Sequence, residues 1–86
     1  MKVLELVNIK RKDTHLYYRR EFTADVVLEY LQQTVSSPVE FTLEHKPLGG
    51  VDIRVALTED LDYPVLPVVS KLKHLILDLH SRGSLP

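Results

Sequence analysis

The sequence predicts an α+β two-layer sandwich in β-β-α-β-β-α order: a four-stranded antiparallel sheet with two helices on one face. Segments 39–45 and 51–57 alternate apolar and polar side chains with the period of a half-buried strand. Residues 65–79 carry an apolar stripe at helical spacing. Each segment has one apolar and one polar face, which suits a sheet covered on one side only.

Residues 2–9 read as the first strand, with Val3, Val7 and Ile9 on one side. Residues 10–13 are polar and read as a turn. Residues 14–22 follow as a second strand, with Leu16, Tyr18 and Phe22 on one face and His15, Tyr17 and Arg19 on the other. Arg20 interrupts the apolar side, as at an edge or a frayed end.

A first helix is expected over residues 23–35. Thr23 suits the N-cap, Asp25 sits where the helix dipole favours an acid, and Phe22 with Val27 has the spacing of a hydrophobic staple. Val27, Leu31 and Val35 recur every four residues. Ser36-Ser37-Pro38 would end the helix, because the residue before proline disfavours α geometry.

Val39, Phe41 and Leu43 alternate with Glu40, Thr42 and Glu44; Val51, Ile53, Val55 and Leu57 alternate with Asp52, Arg54 and Ala56. The link Lys46-Pro47-Leu48-Gly49-Gly50 makes these strands a hairpin. Pairing Leu43 with Ile53 would set Glu44 against Asp52, so the charges favour Leu43 opposite Val51.

The last helix begins within residues 64–67, since Pro64 and Pro67 are tolerated only in a first turn. Its stripe is Val65, Val68, Val69, Leu72, Leu75, Ile76 and Leu79, and Leu77 falls on the polar side. His74 and Asp78 have the spacing of a surface ion pair, and Gly83 is the expected stop. Val27, Leu31, Phe41, Leu43, Ile53, Val55, Leu72, Leu75 and Leu79 are the expected core.

A chain of 86 residues makes a single α+β domain, residues 1–86. It has no cysteine, which excludes disulfides, thiol catalysis and thiolate metal sites. Without such staples it must rely on its apolar core or on a second copy of itself. No apolar run is long enough to span a membrane, and charges near the N-terminus do not suit a signal peptide, so a cytoplasmic location is expected.

Charge is sorted along the chain. Residues 1–20 hold six basic and two acidic side chains, residues 21–62 hold two and nine, and residues 63–86 hold three and one. The sharpest functional hint is the basic first hairpin: Lys10, Arg11 and Lys12, then Tyr17, Arg19 and Arg20. Lys and Arg can neutralise phosphates, and a tyrosine on an open sheet face can stack on a base. Against this, the domain is not basic overall, and the acidic stretch 40–62 would repel a duplex. Solvated charges that block edge-to-edge aggregation explain the same hairpin.

His74 and His80 stand six apart and so point to different helix faces, which gives no metal pair. No phosphate loop, nucleophile elbow or paired-carboxylate motif supports catalysis, and no cofactor is implied. Glu59-Asp60-Leu61-Asp62 is too short for a calcium loop and reads as a solvated connector. The expectation is a small non-catalytic binding or regulatory module, self-associating as a homodimer or bound to a protein partner. The alternative is an RNA- or DNA-binding domain that uses the basic hairpin and the open sheet face.

Overall fold

The computed structural model describes residues 2–13, 18–59 and 65–86. Strands β1 (Lys2–Lys12), β2 (Arg19–Tyr30), β3 (Gln33–His45) and β4 (Val51–Leu57) precede helix α1 (Val65–Ser81). The strands form one antiparallel sheet in the order β1-β2-β3-β4, and α1 packs on one face. The four-stranded sheet is as expected, but the two-helix sandwich is not. Among the described residues there is one helix, and the segment expected to be the first helix is the β2–β3 hairpin.

The reason lies in a competition between two periodicities. Val27, Leu31 and Val35 mark a helical stripe, yet Phe22, Ala24, Val26 and Leu28 mark a strand. The structure buries this second set and leaves Leu31 78% exposed. Three of the four are fully buried, at about 1.5–3 kcal/mol each. The cost falls on the turn, where Leu31 (φ 49) and Gln32 (φ 63) both take the left-handed conformation that a two-residue hairpin demands. At about 1–2 kcal/mol per residue, the strain is smaller than the burial it permits. Thr23 is therefore no N-cap: it lies mid-strand between Lys10 and Glu40. Phe22 is no staple; its ring stacks on Phe41.

Pro38 does not end an element either. It stands opposite Asp25, and its ring nitrogen faces the β4 side, so β2 loses no bond. Its carbonyl accepts from the Thr58 amide (3.3 Å) and hydroxyl (3.1 Å).

The core comprises Phe22, Ala24, Val26 and Leu28 of β2, Val39, Phe41 and Leu43 of β3, and Val68, Leu72 and Ile76 of α1. Of the expected core, Phe41, Leu43 and Leu72 are buried, and Ile53 and Val55 pack against them half-buried. Leu75 and Leu79 are half-buried, and Val27 lies on the opposite sheet face. In β1, bulges between Val3 and Glu5 and between Val7 and Lys10 shift the alternation, and Asn8 adopts φ 53. Val3, Leu6 and Ile9 consequently face the core instead of Val3, Val7 and Ile9.

The β3–β4 register pairs Leu43 with Ile53 and sets Glu44 opposite Asp52, against expectation. The loop decides it. The Lys46 amide donates to the Gly50 carbonyl and the Gly49 amide to the Lys46 carbonyl, both at 3.1 Å, with Gly49 and Gly50 at φ 99 and 87. Net hydrogen bonds of about 0.5–1.5 kcal/mol each outweigh one exposed repulsion. That repulsion is also relieved: Arg19 lies opposite Glu44 from β2, and Arg54 Nε donates to Asp52 Oδ2 at 3.3 Å.

Helix α1 ends as expected. Gly83 has φ 67, its amide donates to the His80 carbonyl (3.0 Å), and the Ser84 amide reaches Leu79 (2.9 Å). Asp78 pairs with Arg82 at 2.9 Å rather than with His74. Residues 60–64, which hold most of the acidic connector and Pro64, lie outside the described residues. No helix among the described residues is long and apolar enough to cross a membrane.

Candidate functional site

The basic hairpin does not form one surface. Lys10, Arg11 and Lys12 belong to β1, not to a turn, and a strand sends alternate side chains to opposite faces. Lys10 pairs with Thr23 and Lys12 with Glu21, on the face away from α1. Arg11 pairs with Phe22 and so points to the helix side. Arg19 and Arg20 divide in the same way, opposite Glu44 and Leu43. Tyr17 and His15 lie outside the described residues.

Most of these cations already have partners. Lys12 Nζ lies 3.1 Å from Glu40 Oε1, and Arg19 Nη2 lies 3.3 Å from Glu21 Oε1. On the helix side, Arg20 Nη2 donates to His80 Nδ1 at 3.0 Å. A guanidinium has no acceptor, so Nδ1 is the unprotonated nitrogen of a neutral ring. The His45 ring stands 6.1 Å from that of His80, edge to face.

The open face is a mosaic of both signs. Lys2, Lys10, Lys12, Arg19 and Arg54 share it with Glu5, Glu21, Asp25, Glu29, Glu40, Glu44 and Asp52. Five cations among seven carboxylates offer no continuous positive track to a phosphate backbone. A shallow depression there is lined by Lys12, Arg19, Glu21, Glu40, Thr42 and Arg54, which largely satisfy one another. Among the described residues, no three His, Asp or Glu side chains converge on a metal position.

The two outer edges of the sheet differ more than its faces. The β1 edge is broken by two bulges and carries Lys2, Lys10, Arg11 and Lys12, all devices that discourage pairing with another strand. The β4 edge has no bulge, proline or lysine, and its register with β3 is continuous from Val51 to Leu57. Sequence reasoning misses this edge. Its one signal is the unbroken alternation of residues 51–57, which any half-buried strand shares.

The architecture defines a small, β-rich α+β domain: a four-stranded antiparallel sheet, guarded by bulges along β1, open along β4 and covered by one helix. The chain belongs to the BB-0187 family, whose model matches residues 1–81. No curated protein and no solved structure matches the sequence.

Proposed function

We propose that the protein is a small non-catalytic binding module that acts through protein contact and associates with a second copy of itself. The observation that carries this reading is the asymmetry between its sheet edges: β1 is defended and β4 is open. Two further features support it. The end of the β2–β3 hairpin exposes Leu31 and Val35 within residues 30–39, a stretch with no charged side chain. At the start of α1, Leu66 is 82% exposed. The same reading puts the protein in the cytoplasm, a reducing compartment that suits a cysteine-free chain.

Sedimentation of the full chain tests the proposal, with melting followed as a function of concentration. Association makes the melting temperature rise with concentration. The rival reading, a nucleic-acid surface on the basic hairpin, has a different signature. It predicts submicromolar oligonucleotide binding that falls steeply with salt and is lost when Lys10, Arg11 and Lys12 become alanine.

A further inference from the structure

We infer that two copies join through β4, antiparallel, about a two-fold axis at Ile53, so that Asp52 of each copy meets Arg54 of the other. The inference rests on the self-association reading and adds to it a surface, a register and a charge code.

The hydrogen-bond phase of the sheet comes first. The Lys46 amide bonds to Gly50 and the Thr58 amide to Pro38, so the even-numbered pairs of β3 and β4 exchange backbone bonds. Asp52, Arg54 and Ala56 therefore turn their amides and carbonyls toward β3. Those of Val51, Ile53, Val55 and Leu57 point outward, where no described strand meets them. A second β4 strand can pair only through these odd-numbered residues.

Charge selects the register. With the axis at Ile53, Ile53 faces its own counterpart, Val51 faces Val55, and Asp52 faces Arg54 twice over. Shifting the axis to Arg54 sets Arg54 against Arg54, which repels. Within one copy, Asp52 and Arg54 are held only by a 3.3 Å contact, with 43% and 75% of their side chains exposed. Both can reach a partner. An axis normal to the sheet keeps like faces together, so the side chains of Val51, Ile53 and Val55 extend one apolar face across the junction. Occupancy by a second copy follows from this self-complementarity; the β1 edge would instead place a lysine- and arginine-rich, bulged strand against the partner.

Asp52→Lys and Arg54→Glu, made separately in the full chain, supply the test. Each variant alone presents like charges at both contacts, whereas a mixture restores two opposite pairs. The fold tolerates Asp52→Lys, because position 52 stands opposite Glu44. The expected result is that each variant associates about tenfold or more weakly than the natural chain, and that the equimolar mixture recovers a 1:1 heterodimer. Circular dichroism on each variant verifies that it is folded. A dimeric natural chain whose variants remain equally dimeric, or whose mixture does not recover, overturns this register and leaves self-association standing. A monomeric natural chain overturns both.

Discussion

Phe22 and Phe41 stack across the β2–β3 pair, with ring centroids 4.9 Å apart and planes 15° from parallel. The two residues are cross-strand partners, and both are almost wholly buried beneath α1. The contact ties the segment expected to open a helix to the most clearly alternating strand in the chain.

Phe41→Ala is expected to cost about 3–5 kcal/mol in denaturant unfolding, a large share of the stability of so small a domain. Phe22→Ala falls in the same range, and the double variant should show a coupling of about 0.5–1.5 kcal/mol beyond area loss. A loss below about 1 kcal/mol for Phe41→Ala would mean that the strand faces are inverted.

Replacing Leu31-Gln32 by Asn-Gly is expected to stabilise the protein by about 1 kcal/mol, because both positions already hold the left-handed backbone those residues favour. The sign is diagnostic. In a helix over residues 23–35 the same change would destabilise by about 1 kcal/mol. Thermal or urea unfolding distinguishes the two.

Much of the architecture is legible from residues 39–57 and 65–83, where a single periodicity dominates and Gly49, Gly50 and Gly83 sit at turns. The middle is not, because residues 22–35 satisfy two templates at once. Tertiary burial of Phe22, Val26 and Leu28 against α1 breaks the tie, and local spacing does not register it. The hairpin turn gives no warning, since Leu31 and Gln32 are not turn-forming types. The basic residues cluster in the sequence but not in space. Lys10-Arg11-Lys12 lies in a strand rather than a turn, which divides it between two faces. The β4 segment is legible as a strand but not as an edge, which depends on strand order.

Ser37 is 4% exposed, and its hydroxyl has no hydrogen-bond partner. Removing an unsatisfied buried hydroxyl relieves its desolvation cost, so Ser37→Ala should raise stability by about 1 kcal/mol. A decrease of similar size in the unfolding free energy would show that the hydroxyl is bonded.

Gly83→Ala should destabilise by about 1 kcal/mol, because the residue at φ 67 closes α1 and a β-carbon disfavours that conformation. Open space surrounds the site, so the whole effect comes from the backbone, and it is read as a shift in urea midpoint with unchanged slope.

Sedimentation equilibrium of the natural chain at physiological salt, over a wide range of concentration, tests the central claim most directly. The account predicts a mass that rises to twice that of the chain and a melting temperature that rises in parallel. A single-chain mass at every concentration, with a fixed melting temperature, would contradict it.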